Sequence, residues 1–124
     1  MNIKLKELVG VVALKFPDES EKWHKEVAKG LCKSHKAVFE EAMLEVKSAV
    51  EENKHWAHIQ VEDVDNIVRG RMTHTSAWEW AILNTREHLL KVMARFGYEI
   101  SMDSGLIIIV WERGKHHDYS EESK

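Results

Sequence analysis

The chain has 124 residues, 44% of them hydrophobic and 31% charged, with 18 Lys and Arg against 21 Asp and Glu and a formal net charge of -3. That length suits one compact domain, or one domain with a helical extension, and excludes two full domains. The acidic balance excludes a globally basic nucleic-acid binder, so any phosphate-binding surface must be local, and the single cysteine, Cys32, excludes an internal disulfide and a cysteine-based zinc or redox motif.

The opening stretch MNIKLKELVGVVALKF is interrupted by Lys15 and lacks a small-residue cleavage site, a poor match to a signal peptide. Its Leu5, Leu8, Val9, Val12 and Phe16 recur at three- and four-residue steps, which predicts a first helix ending before Pro17. Asp18 and Ser20 are placed to cap a second. Within it Trp23, Val27 and Leu31 share one face, and Lys22, Lys25, Lys29, Lys33 and Lys36 form a stripe on the opposite one. From Val38 the apolar set becomes Phe39, Ala42, Met43, Val46 and Val50, rotated by roughly a quarter turn at about 100° per residue. With Gly30 as a weak point and Ser34 as a cap, the pattern predicts two helices, over 20–33 and 35–53.

HWAHIQVE, residues 55–62, changes period: Ala57, Ile59 and Val61 alternate with His58, Gln60 and Glu62, as in a half-buried strand. Glu62 and Asp63 then stand where carboxylates favour a helix N-terminus, and Val64, Ile67 and Val68 form the apolar face of a helix stopped by Gly70. Trp78, Ile82, Leu89, Val92, Met93 and Phe96 keep helical spacing over 76–96, with a capping pattern in Ser76 and Glu79 at the start and Gly97 at the end. A second capping pattern, Asn84 and Glu87, would divide that helix in two. FGYEISMDSGLIIIVWERGK, residues 96–115, reads as two extended runs around Asp103-Ser104-Gly105. The tail HHDYSEESK has too few apolar residues to pack and is expected to stay loose. No run of about 18 apolar residues exists, so no membrane span is expected and the expected location is the cytoplasm.

From residue 35 the order helix, short strand, helix, helix, strand, strand resembles that of winged helix-turn-helix domains, in element order rather than in any diagnostic motif. The resemblance implies an α+β, mostly helical protein: an N-terminal helical extension over 1–34, a winged-helix-like core with a small three-stranded antiparallel sheet over 35–114, and a flexible tail over 115–124. It also implies that the first strand pairs with the terminal hairpin, which makes LIIIVW a middle strand and explains its consecutive apolar positions. In that fold class the third helix of the core enters the major groove and the hairpin serves as a wing.

Carried onto this chain, the resemblance points to the segment after Met72. Residues 69–95 hold Arg69, Arg71, Arg86, Lys91 and Arg95 against Glu79 and Glu87, a local cationic excess suited to phosphate, with Thr73, Thr75 and Ser76 near the groove. The first functional reading is therefore a small cytoplasmic regulator that binds DNA or a DNA-handling partner, its N-terminal helices serving dimerisation or contact. A second is a non-catalytic protein-binding inhibitor or adaptor of a macromolecular partner. Trp78 and Trp80 point roughly 200° apart on a helix and do not fit one core, so one is expected at the surface as an interface anchor. Trp56 and Trp80 are the anchors of that reading, and Asp103 at the hairpin tip is at odds with a wing built to grip phosphate.

Catalytic chemistry has thinner support. Glu62, Asp63 and Asp65 could hold the divalent cation of a nuclease, a third reading, although acids at a helix start more commonly serve its dipole. His55 and His58, three apart, would converge on a helix but not on a strand. Cys32, beside Leu31, is expected as a structural thiol, and the six glycines are dispersed, so no phosphate loop is present. No enzyme activity, cofactor or metal is expected.

Overall fold

A computed structural model of the chain describes residues 3–115. The loose tail expected beyond Lys115, with His116 and His117, lies outside the described residues. Helix α1, Ile3–Lys15, stops before Pro17 as expected. Helix α2 covers Glu21–Glu51, followed by strand β1 (Trp56–Gln60), helix α3 (Val61–Arg71), a single 3-10 turn at Thr75–Ala77, helix α4 (Trp78–Arg95) and strands β2 (Glu99–Asp103) and β3 (Leu106–Val110). The protein is α+β and mostly helical, with one three-stranded antiparallel sheet. No helix among the described residues is long and apolar enough to cross a membrane.

The two helices expected over 20–33 and 35–53 are one, a correction with a clear cause. Ser20 does cap it, accepting the Trp23 N–H at 3.1 Å. Ser34, however, is no cap: its hydroxyl donates to the Gly30 carbonyl at 2.8 Å inside the continuous helix. Gly30 is not a break either. A Cβ at that position would stand 2.6 Å from Met72 Sδ and 2.8 Å from the Arg71 carbonyl oxygen, so the glycine lets the end of α3 lie directly on α2. The rotation of the apolar face after Val38 marks a change in what the helix packs on. Its first half meets Leu8, Val12, Val68, Met72 and Ala77, and its second half meets the sheet with Leu89 and Met93 of α4.

Gly30→Ala is expected to destabilise by about 2 kcal/mol, because the clash outweighs the roughly 1 kcal/mol by which alanine favours a helix. Urea denaturation reads this directly. Adding Met72→Ala should not restore stability, since the Arg71 carbonyl is backbone and stays where it is. A more stable Gly30→Ala protein would show that the two helices do not meet so closely.

Sheet order is β1-β3-β2, so the terminal strand is the middle one, as its apolar run implied. Ile107 and Ile109 face inward and are fully buried, with Ile59 and Ala57 opposite them on β1. Leu106, Ile108 and Val110 face outward and are half-buried. Ser104 and Gly105 both have positive φ, 52° and 82°, which makes the tight hairpin turn whose twist matches its strands. Gly97, at φ 89°, ends α4: its N–H reaches the Ala94 carbonyl at 3.0 Å and the Tyr98 N–H reaches Met93 at 3.1 Å. The expected cap at Ser76 is absent, since Ala77 precedes α4 without a side-chain cap and a 3-10 turn tightens the entry. Asn84 lies inside the same helix and does not divide it.

Candidate functional site

The cations singled out from the sequence are not gathered on one face. Arg69 and Arg71 are exposed in the last turn of α3, where Arg69 donates to Asn66 at 3.1 Å and Arg71 donates to the Ile67 carbonyl at 3.4 Å. Thr73, Thr75 and Ser76 are exposed on the connection that follows. This end of α3 meets α2 at Gly30, between Lys29 and Lys33 of the lysine stripe. Arg86 points elsewhere. Its guanidinium forms a two-pronged pair with Asp65 of α3, at 3.0 and 2.5 Å, and both side chains are mostly buried. Lys91 pairs with Glu87 at 2.8 Å on an exposed surface, holding the Glu87 carboxyl below the usual carboxylate range, and Arg95 borders a cleft between α1, α2 and α4.

Helix α4 shows its surroundings a stripe at steps of four and three: Glu79, Leu83, Glu87, Lys91 and Ala94 are all exposed. Leu83 is 55% accessible, a large apolar side chain between two carboxylates. The hairpin turn lies beside the start of α3, where the Val61 N–H donates to the Gly105 carbonyl at 2.9 Å. Asp103 of the hairpin and Glu62 and Asp63 after Val61, all exposed, therefore belong to the same end of the protein. Asp65 is taken by Arg86, and among the described residues no group of three His, Cys, Asp or Glu side chains stands close enough to hold a metal ion.

Trp78 and Trp80, expected on different sides of the core, both pack against the cluster built around Leu31 and Val68, which corrects the argument from their angular separation. The first turn of α4 lies in a crevice with walls on two sides. Trp78 donates its indole N–H to the Met72 carbonyl at 2.9 Å, and Trp80 meets Phe16 edge to face at 5.6 Å. Phe16 also meets Trp23 at 5.0 Å, and His24 donates to the Phe16 carbonyl at 2.6 Å, occupying one of the acceptors that the end of α1 leaves open. Trp56 differs: it is exposed on the outer face of the sheet, with the Lys54 ammonium 5.1 Å from its ring and His58 stacked at 5.9 Å. Cys32 is half-buried against the same cluster as Leu31.

Two histidine contacts escaped the sequence because their partners are distant in the chain. His74 donates to Glu26 at 2.7 Å, and that hydrogen bond, helped by Lys22 and Lys29, lowers the Glu26 carboxyl from its usual range. His35 and His88 stack face to face, 3.8 Å apart and 9° from parallel. His35 Nε2 donates to Asn84 Oδ1 at 2.9 Å, so His35 carries a proton on Nε2, and Lys4 Nζ donates to His88 Nε2 at 3.4 Å, so His88 is a neutral ring with its proton on Nδ1. The one available signal was positional: His35 falls four residues after Leu31, on the buried face of α2.

Burial pushes His35 down to about 4, against a smaller upward pull from Asn84, and with the fields of His35, Lys4, Arg95 and Lys91 it pushes His88 down to about 3. The unfolded chain takes up both protons below about pH 6.5, whereas the folded chain does so only near those lowered values. Stability from this pair is thus complete above pH 6.5 and is lost as pH falls through the window below it. Between pH 7 and pH 5 the loss is expected to be about 2 kcal/mol in urea unfolding, discounted for the partial exposure of His88 and for the coupling of the two rings. His88→Phe keeps a flat ring on His35 and should make that dependence markedly shallower; an unchanged slope would assign it to other groups.

These features define a small, mostly helical α+β protein with a stacked histidine pair between two helices and a mixed acidic and apolar outer face on α4. No protein-family model matches the chain, and neither the curated proteins nor the solved structures contain a significant match to it.

Proposed function

We propose that this chain is a non-catalytic protein-binding module of the cytoplasm, with a winged-helix-like arrangement over 35–114, that engages its partner through the outer face of α4. The observation that carries this reading is the exposed Glu79-Leu83-Glu87 stripe on the helix that such a fold would otherwise place in a DNA groove. A groove-reading helix needs donors for base edges and cations for phosphate, and this face offers two carboxylates and a leucine. It complements a partner with an apolar pocket flanked by cations, the kind of surface found on proteins that handle nucleic acid. Exposed Trp56 on the sheet is a second anchor, whereas Trp80 is held against Phe16.

A tagged chain used for capture from its native host is expected to retain a stoichiometric protein partner that Leu83→Arg loses and Arg69→Glu keeps. A partner retained by Leu83→Arg would remove α4 from the interface. Iodide quenching tests the second anchor: Trp56→Phe should abolish most of the quenchable tryptophan emission, and loss of that emission on partner binding would place Trp56 in the contact.

The DNA-binding reading keeps one specific support, the approach of Arg69 and Arg71 to the lysine stripe of α2 at Gly30. It calls for duplex binding at low salt that falls steeply with added salt and is lost in the Arg69→Glu, Arg71→Glu double variant. Duplex binding with that behaviour and indifference to Leu83→Arg would replace the protein-binding proposal.

A further inference from the structure

The stacked histidines line a cleft of about 740 Å3 between α1, α2 and α4, well within the size of small-molecule sites. Leu8, Phe39, Val92 and Phe96 supply apolar surface, and Phe39 and Phe96 lie 5.7 Å apart with their rings tilted by 35°. Lys4, Lys36 and Arg95 border the cleft, one on each of the three helices, against a single carboxylate, Glu7. All three cations are exposed, and none forms an ion pair among the described residues. Lys4 already reaches inward to His88, and His35 keeps one buried ring nitrogen, Nδ1, without a hydrogen-bond partner.

We infer that this cleft binds an organic carboxylate with a flat apolar body. Three cations facing one acid exclude a cationic ligand and favour an anion. The planar fork of Arg95 suits a carboxylate, which accepts two parallel hydrogen bonds from it. An inorganic anion would satisfy the cations and leave the apolar surface wet, whereas an aromatic body covers Phe39, Val92 and Phe96. Bound carboxylate would also lie beside the imidazole pair, whose ring protons report its presence.

The inference stands apart from the role of α4 in protein binding, because the Leu83 stripe does not border the cleft. The test is an NMR titration of the full chain with 2-naphthoate, its neutral counterpart 2-naphthylmethanol, and inorganic phosphate, following the ring C–H signals of His35 and His88. Saturable shifts of both rings by 2-naphthoate are expected, with affinity about tenfold weaker for the alcohol and for Arg95→Gln, as fits the loss of a charge-assisted hydrogen bond. Leu83→Arg should bind 2-naphthoate as the parent does. Equal affinity for the alcohol would reduce the cleft to plain apolar surface, equal affinity for phosphate would remove the apolar body from recognition, and absence of a saturable shift would sink the site itself. Arg95→Gln is an exposed substitution, and unchanged circular dichroism confirms that its fold is intact.

Discussion

Replacing Ile109 by alanine is expected to lower the unfolding free energy by about 4 kcal/mol, while the same change at Ile108 costs about 1 kcal/mol. The two residues are chain neighbours on β3 with equal side-chain volume, so propensity and composition cannot separate them. Ile109 is fully buried, lies between Ala57 and Ile100 in the strand register, and packs with Val38, Leu89 and Met93. Removing three carbons there leaves a cavity that strands on both sides cannot collapse to fill. Ile108 points to the outer face, between His58 and Ser101, where solvent already reaches part of it. Urea unfolding of both variants measures the difference. Equal losses would mean that the outer face of the sheet is covered as fully as the inner one.

Asp65→Asn should cost about 3 kcal/mol, because it leaves the Arg86 guanidinium mostly buried and facing a neutral amide. The pair joins α3 to α4 through two short hydrogen bonds, and each half depends on the other. Arg86→Met alone should cost a comparable amount by stranding the carboxylate. The double variant Asp65→Leu, Arg86→Met should recover most of the loss, since two apolar side chains avoid the desolvation that a paired charge must overcome. A double variant as unstable as the sum of the singles would show that the two side chains are not energetically coupled, and that neither single loss comes from stranding its partner. The same double variant bears on function: if Arg86 serves α3–α4 packing and not a partner, partner capture by the folded double variant is unchanged.

Much of the architecture was legible because it rests on local periodicity. The three-and-four spacing of Leu5 to Phe16, the alternation of Ala57 and Ile59, and the Asp103-Ser104-Gly105 turn each report a pattern that sterics and burial impose over a few residues, whereas Val61, read with that strand, opens helix α3. The apolar run of β3 also carried non-local information, since only a strand with neighbours on both sides tolerates it. What misled were inferences about breaks and about outward-facing side chains drawn from one helix considered alone. Gly30 reads as a weak point until α3 is laid against it, and Ser34 reads as a cap until its hydroxyl is seen bonded within the helix. Trp78 and Trp80 diverge around α4 but share a cluster, because the α1–α2 turn and the end of α3 wall that helix on both sides.

Side-chain partnerships show the same limit more sharply. Charge counting treated Arg86 as one more cation near a groove, though Asp65, 21 positions earlier, had claimed it. His35 and His88 are separated by strand β1, helix α3 and a 3-10 turn, and no spacing rule links them; only the packing of α2 against α4 stacks their rings. The sequence by itself determined the order of helical and extended segments, where the hairpin turns, and which strand is central, while the ends differ, since α3 takes in both Val61 and Gly70. Tertiary structure alone decided that α2 is unbroken, that Arg86 is spent on Asp65, that Leu83 faces outward between two carboxylates, and that a cationic cleft opens beside the paired imidazoles. Each of those depends on contacts between residues far apart in the chain, and chain order does not encode the distances between them.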